Sequence, residues 1–412
     1  MAVNVDQVNV LGALLESEEA ARRLGVKLAT LYAYVSRGLL QSFPSPGTKR
    51  RLFSVEEIEA LARKTRGGKQ VETRVATVTT GVTQLRPDGP YYRGRSATLL
   101  AESSTYEQVA ELLWSSGPGS WQALDLDVPA MLSCQDSLRW ITVMAAAADP
   151  RREDAHPELV VMRLRSLINT MSLLSCPNPV SSVAPPSSSA ISGIALNLTE
   201  GFRTKRRTAA QVRAVNAALV LVADHELATS ALAVRIAAST RATIYDAVLA
   251  GLGTMGGPLH GGASAITTRV IRRAAAEGID IVVDDALASS RVLPGFGHSV
   301  YADGDPRADA LLEFAYPLAS PRKRKVLDQL LDAAEARRQP PPNVDFALAA
   351  LAFATDMPAE ATSCIFTIGR IAGWGAHYLE ELQEPPLRYR ARAIYSAPNP
   401  KAAEGPMPSG TP

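Results

Sequence analysis

From residue 106 onward, apolar positions recur at helical spacing in nearly every segment, with Ala and Leu abundant, and Gly, Pro and Ser clusters mark the breaks. Thr105 followed by Gln108 is a capping box, which predicts a helix over 106–114. Asp305, Pro306 and Arg307 read as N-cap, N1 and N2 of another helix. Asn343 opens a further one through FALAALAFA, ending near Thr355. In IFTIGRIAGWGAHYLEE, Arg370, Trp374 and His377 share one helical face, and the last two are read as core packing. The Pro/Ser-rich stretch 177–192 reads as a loop, and Gln339 to Pro342 as a second break. Upstream, the β-branched run 71–83 predicts one or two strands. Residues 396–412 are Pro-rich with almost nothing apolar, which predicts a disordered tail.

The front of the chain follows a different pattern. Helix formers fill 18–24, Gly25 makes a turn, helical character resumes over 28–36, and Gly38 ends it. Ser54 with Glu57 is expected to cap one more helix. Helix, Gly-containing turn and second helix make the helix-turn-helix layout. Residues 1–68 are therefore expected to form one module, joined by a hinge at Arg66 to Lys69 to a mainly α-helical body over 71–395.

Composition narrows the class. At 412 residues and 46% hydrophobic, the chain can bury a sizeable core. Forty-three Lys+Arg against 41 Asp+Glu leave net +2, so no chain-wide excess points to nucleic acid or acidic lipid. Locally, Arg22, Arg23, Lys27, Arg37, Lys49, Arg50 and Arg51 fall in a window without Asp or Glu, flanked by acidic residues on both sides. The three cysteines, Cys134, Cys176 and Cys364, are odd in number and widely spaced. That argues against a disulfide framework or cysteine-based zinc site and for a reducing compartment. The N-terminus lacks the basic and apolar runs of a signal peptide, and no apolar stretch approaches the ~20 residues of a membrane span. A soluble, cytoplasmic protein without a metal is expected.

Candidate chemistry gathers around the histidines, of which there are five. GTMGGPLHGGAS places His260 in a glycine-rich loop opening a helix over 264–277, and LPGFGHSVY places His298 after a tight Gly turn. Glycines allow close backbone approach, and helix N-termini attract anions. Arg307 at its helix start reads as a carboxylate receptor. Asp345, in the first turn after Asn343, is expected to be kept ionised by the helix dipole, as a general base must be.

Two resemblances follow from these residues. The stretch EEAARRLGVKLATLYAYVSRGLL with KRRLFSVEEIEAL resembles the small winged helix-turn-helix units of the excisionase and MerR kind. That implies a second helix in the DNA major groove and a basic wing on phosphate, with Arg37, Lys49, Arg50 and Arg51 as contacts. A basic domain kept for packing or assembly stays open beside it. In the body, HGG after GPL, GFGH followed by DPRA, NVDF, GRIAGWGAH and RYRARAIY, in this order, resemble the citrate synthase family from about Thr79 to Tyr395. LRPDGPYYRGRSATLLAESSTYEQVAELLW and ADHELATSALAVRIAAST belong to the same resemblance.

The resemblance implies a mainly α fold with large and small helical domains, the small one over about 255–360, in a homodimer or higher homo-oligomer. It implies condensation of oxaloacetate with acetyl-CoA to citrate, or with propionyl-CoA to 2-methylcitrate, releasing CoA, in the chemistry of the tricarboxylic acid and methylcitrate cycles. Asp345 would take the acyl α-proton, His260 would stabilise the enol, and His298 would polarise and protonate the oxaloacetate carbonyl. His225, Arg307 and Arg370 would hold oxaloacetate, with Arg390 supplied by the neighbouring subunit. No cofactor is implied, the CoA thioester being a substrate. The chain departs from the family pattern at Ala228, Ser264, Ser299, Ala302 and Ala391, where Asn, Asn, Arg, a basic residue and Pro are usual. The lost basic residues are expected to weaken grip on the CoA phosphates. An alternative stays open, a DNA-binding regulator whose body senses oxaloacetate, citrate or acyl-CoA.

Overall fold

A computed structural model describes residues 14–24, 26–37, 39–45, 51–55, 57–58, 61, 78–129, 132–178, 192–203 and 207–390. The expected hinge, Lys49, Arg50 and the expected tail lie outside these. The chain divides into two compact units, Met1–Val75 with Arg392–Pro412, and Ala76–Ala391.

In the first unit, β1 (Leu14–Glu16), α1 (Ser17–Leu24), α2 (Leu28–Ser36), β2 (Phe43–Pro44) and β3 (Arg51–Ser54) follow in order. Glu18 and Glu19 sit in the first turn of α1 and Arg22 and Arg23 in its last, the arrangement a helix dipole favours. The three strands pair antiparallel in the order β1-β3-β2. Ala20, Ala21, Leu24, Leu31, Leu40, Phe53, Ile58 and Leu61 close a small core. Val55, Glu57, Ile58 and Leu61 are helical, but Glu57 does not complete the expected capping box. Its carboxylate accepts the backbone N–H of Gln41 at 2.8 Å, a non-local donor that the turn after α2 brings within reach.

The second unit opens with a three-stranded antiparallel meander of β4 (Thr83–Arg86), β5 (Gly89–Tyr92) and β6 (Arg95–Ser96). Of the stretch 71–83 expected to form strands, residues 71–77 are outside the described residues, 78–82 lie outside any strand, and Thr83 opens β4. The helices are α3 (Ala97–Ser103), α4 (Tyr106–Trp114), α5 (Cys134–Ala148), α6 (Pro157–Leu174), α7 (Gly193–Gly201), α8 (Ala209–Leu221), α9 (Thr229–Ser239) and α10 (Ile244–Met255). After them come α11 (Ala263–Glu277), α12 (Ile279–Ser289), α13 (Pro306–Ala315), α14 (Pro321–Ala336), α15 (Val344–Thr355) and α16 (Ala359–Glu381). The capping box of Thr105 and Gln108 forms at α4 as predicted.

Two hydrophobic cores organise these helices. The larger surrounds α16, whose face from Ala359 to Tyr378 is buried almost throughout. Its glycines admit close neighbours: a Cβ on Gly373 would lie 2.2 Å from Asp224 Oδ1. The smaller core joins α11, α12, α14 and α15 through Ile271, Val282, Val283, Leu327, Leu330 and Phe346. Helix α15 serves both, with Ala347, Leu348 and Leu351 in the larger and Phe346, Ala349 and Ala350 in the smaller. Its first turn therefore lies where the two cores meet.

Candidate active site

The site gathers at that junction from six segments. The first follows α8. Tyr92, fully buried, directs its hydroxyl to the carbonyls of Val220, Leu221 and Asp224 and fixes the chain there. Buried Asp224 accepts the N–H of Glu226 at 3.1 Å, and Glu226 adopts φ 53°, a left-handed turn that presents His225. Asp224 Oδ1 stands 3.3 Å from His377 Nε2. Arg235 Nε donates to His377 Nδ1 at 3.0 Å, so Nε2 carries the ring proton on the side of Asp224, without hydrogen-bond geometry to Oδ1. Arg235 is held in turn by Glu381 at 2.9 Å and by Glu380. His377 is a core residue, as the helical pattern predicts, and it packs beside the turn that carries His225.

The second segment contains His298. Nδ1 accepts the backbone N–H groups of Val300 at 3.1 Å and Tyr301 at 3.4 Å. That assigns the proton to Nε2, which lies 3.3 Å from Arg307 Nη2. Two donors face one another, an arrangement that a carbonyl or carboxylate oxygen between them satisfies. The rings of His225 and His298 lie edge to face at 5.1 Å, and Tyr301 stacks on His298 at 5.0 Å.

The third and fourth segments are the paired starts of α13 and α15. Asp305 caps α13 through the N–H of Arg307 at 3.1 Å and grips the Arg307 guanidinium at 2.9 and 2.8 Å. It also accepts the N–H of Val344 at 3.0 Å, tying α13 to α15. The expected carboxylate receptor at Arg307 is therefore already partly filled by the chain's own Asp305, and the free edge of the guanidinium faces His298. On α15, Asn343 caps the helix by accepting the N–H groups of Asp345 and Phe346. The Asp345 carboxyl has no such partner, and Oδ1 is buried without a hydrogen bond.

Arg370 and His260 complete the cluster. Arg370 is buried, donates Nε to the Val222 carbonyl at 2.7 Å, and leaves Nη1 without a partner. His260 Nε2 lies 2.8 Å from Ser230 Oγ, which also accepts the indole N–H of Trp374 at 3.2 Å. An indole N–H only donates, so buried Ser230 satisfies its own proton by donating to His260 Nε2. Nδ1–H of His260 is then the free donor.

Electrostatics follow from burial. Desolvation pushes Asp345 up to about 7, against the opposing pull of Arg307 and with help from Asp305. The helix dipole, expected to help keep it ionised, acts here against the desolvation of a carboxyl whose Oδ1 has no hydrogen-bond partner. Burial pushes His260 down to about 4, with Arg370 adding to it. His225 is held well below its ordinary value by burial and by Arg307 and Arg370, and His298 is lowered by burial and Arg307. Burial also brings Arg370 down to about 10. The site thus combines neutral imidazoles, two guanidinium groups and a carboxyl poised near neutrality. The unpartnered buried atoms of His225 Nε2, Tyr301 Oη, Arg370 Nη1 and Asp345 Oδ1 all belong to this cluster.

Seven residues were singled out for the site from sequence, and the structure gathers His225, His260, His298, Arg307, Asp345 and Arg370. Arg390 is exposed beyond α16 and is not brought to the cluster within one chain. Sequence reasoning missed Asp305 as a bridge, Ser230 as the partner of His260, and Tyr301. Only Asp305 carried a local signal, its N-cap position. In the first unit, Arg37 and Arg51 are exposed.

Comparison with known proteins agrees with this construction. Residues 71–392 match the family model described as citrate synthase, C-terminal domain, and residues 14–66 match a helix-turn-helix domain. Citrate synthase 2 of Bacillus subtilis is 32% identical over 212 residues, 50% of this chain and 57% of the relative. A putative citrate synthase 2 of Mycobacterium tuberculosis is 36% identical over 200 residues, 47% of this chain and 53% of the relative. A 2-methylcitrate synthase 2 of Corynebacterium glutamicum is 29% identical over 217 residues, covering 50% and 55%. The chain spans about half the length of these curated relatives. The crystal structure of citrate synthase from Thermotoga maritima superposes with a TM-score of 0.63 at 22% identity, over 79% of this chain and 94% of that one. The Thermoplasma acidophilum citrate synthase, in ternary complex with carboxymethyl coenzyme A and oxaloacetate, gives 0.66 at 23% identity, over 79% and 95%. With the family model spanning most of its length, and a mainly helical fold shared with these structures, the chain belongs to the citrate synthase family and carries a helix-turn-helix domain at its front.

Proposed function

We propose that the body condenses oxaloacetate with a short acyl-CoA, acetyl-CoA or propionyl-CoA, to give citrate or 2-methylcitrate and free CoA. The observation that carries this reading is the cluster itself: buried Arg307, buried Arg370 with its unpartnered Nη1, the facing His225 and His298, and an Asp345 carboxyl oxygen left without a hydrogen bond. Arg307, Arg370 and His225 bind the dicarboxylate, and bidentate guanidinium suits two carboxylates. His298 donates Nε2–H to the ketone oxygen, raising its electrophilicity. Asp345 removes a proton from the acyl α-carbon while Nδ1–H of His260 bonds the thioester oxygen as enolate charge develops. The enol carbon attacks the ketone, His298 gives up its proton to the new alkoxide, and hydrolysis of the citryl thioester frees CoA. A homodimer completes the site, with Arg390 of the neighbouring subunit on a substrate carboxylate.

The test is release of CoA thiol from oxaloacetate with acetyl-, propionyl- and butyryl-CoA. No release above background with any of the three would reject the synthase reading in favour of a sensing body.

We also propose that the front unit binds duplex DNA. Support comes from the helix-turn-helix match and from α2, whose exposed Tyr32 and Ser36 are flanked by exposed Lys27 and Arg37 at its two caps, with Arg51 exposed on β3. Each phosphate contact contributes about 0.9 to the slope of log K on log salt. A gel shift at low salt should be lost when Lys49, Arg50 and Arg51 are replaced together by Ala, with CoA release unchanged. Absence of any shift at low salt in the intact chain rejects DNA binding.

A further inference from the structure

Arg388 and Tyr389 lie beyond the last helix, yet the fold brings both back onto it. Helix α16 ends at Glu381, and Pro385 and Pro386 stop any continuation. The chain turns back through Leu387, whose φ of 56° is left-handed. Its N–H donates to the Ser239 carbonyl at the end of α9 at 2.9 Å. Arg241 secures the same turn by donating to the carbonyls of Glu381 at 3.2 Å and Glu384 at 2.7 Å.

The returning segment grips the last residue of the helix. Arg388 makes a two-point contact with the Glu381 carboxylate, Nε to Oε1 at 2.7 Å and Nη2 to Oε2 at 2.6 Å. Tyr389 donates its hydroxyl to Oε2 at 2.8 Å and accepts from Arg388 Nη2 at 3.1 Å. From the core side, Arg235 Nη1 donates to Oε2 at 2.9 Å. Glu381 and Arg235 are fully buried. Arg235 also meets Glu380, so two guanidinium groups face two carboxylates. A balanced network of this kind is rigid, because each member leaves a buried charge behind if it moves away. Arg390, the next residue, is exposed and makes none of these contacts. The turn at Leu387 and the grip at Arg388 and Tyr389 fix the direction in which it leaves the subunit.

We propose that Arg388 is a positioning residue: its two-point grip on Glu381 aims Arg390 away from its own subunit and into the oxaloacetate site of the neighbouring one. The inference rests on the reading of Arg390 as a ligand supplied across a homodimer. Arg388 touches no substrate and acts through the backbone of Tyr389 and through Arg390. A guanidinium suits the task better than an ammonium, because its fork engages both carboxylate oxygens and so sets the direction of the chain.

The test measures oxaloacetate and CoA binding by calorimetry on the full chain, for wild type, Arg388→Ala, Arg390→Ala and the double variant. Arg390→Ala should weaken oxaloacetate binding at least about tenfold, as loss of a charged partner does. Arg388→Ala should weaken it about three- to tenfold with CoA affinity unchanged, and should add less than about twofold once Arg390 is already alanine, since nothing is then left to position. Where the alanine variant folds poorly, Arg388→Lys should show the same pattern, because it keeps the charge and loses the two-point contact. Unchanged oxaloacetate binding in Arg388→Ala would overturn the proposal. So would an equal loss of CoA binding, or full additivity of the two changes, since either marks a tether that serves stability alone. The reading beneath it is tested separately: Arg390→Ala with oxaloacetate binding intact would reject the arginine supplied across the dimer, and the positioning role with it.

Discussion

Helices α13 and α15 start alike and end in opposite electrostatic states. Each begins with a capping side chain, Asp305 or Asn343, and each places a functional residue two positions later, Arg307 or Asp345. At α13 the capping carboxylate is buried, but Arg307 in contact at 2.8 Å outweighs the burial and holds Asp305 below its ordinary range. At α15 the carboxyl is largely desolvated with no contacting cation, and it rises to about 7. Dipole and cap are common to both starts, so they do not set the difference. Contact with a counter-charge against desolvation does.

The largest effect should come from removing the poised carboxyl. Asp345→Asn should lower kcat by about 10²–10⁴ with oxaloacetate affinity nearly unchanged. A variant turning over near the wild-type rate would show that the raised carboxyl is not the base. Asp305→Asn breaks the comparison from the other side. It leaves Arg307 buried without its partner and should cost about 3–5 kcal/mol of stability, read by denaturant unfolding. Because Asp305 raises Asp345, the same change should also move the acid limb of the kcat/KM profile below its wild-type position near pH 7. An unmoved limb in a folded variant would separate the two helix starts. Arg370→Leu should weaken oxaloacetate binding by about 2–5 kcal/mol in calorimetry, since a bound carboxylate would lose a buried partner.

Stability against pH tests the same contrast without turnover. Asp345 has a folded value of about 7 against 3.8 for the ordinary side chain. Its contribution is fully present below the unfolded value and is lost as pH rises to about 7, so the ionised form destabilises the fold above neutrality. Asp345→Asn should therefore be more stable than wild type at pH 8, by up to about 4 kcal/mol at about 1.4 kcal/mol per unit. Equal stability there would mean that the carboxyl is solvated. The smallest effect isolates the cap itself. Helix α9 begins at Ala228 with no side-chain cap. Ala228→Asn should add about 1 kcal/mol to the unfolding free energy without shifting any site pKa.

Much of this was legible in sequence where the cause is local. Thr105 with Gln108, Asp305-Pro306-Arg307 and Asn343 announce their helix starts because caps act within a few residues. The 3.6-residue spacing in the last long helix puts Arg370, Trp374 and His377 on one face whatever packs there. Glu57 went wrong for the opposite reason: its partner is the Gln41 N–H, remote in sequence. The order of the histidine, arginine and aspartate motifs determined the family, and periodicity with caps determined a mainly helical body behind a helix-turn-helix unit. Tertiary structure alone decided that Ser230 sets the free nitrogen of His260, that Asp305 ties Arg307 to the start of α15, and that Cys134 and Cys176 line one cavity. It also decided the charge state of Asp345, because desolvation depends on every element packed around a side chain and a linear pattern records only the neighbours along the chain.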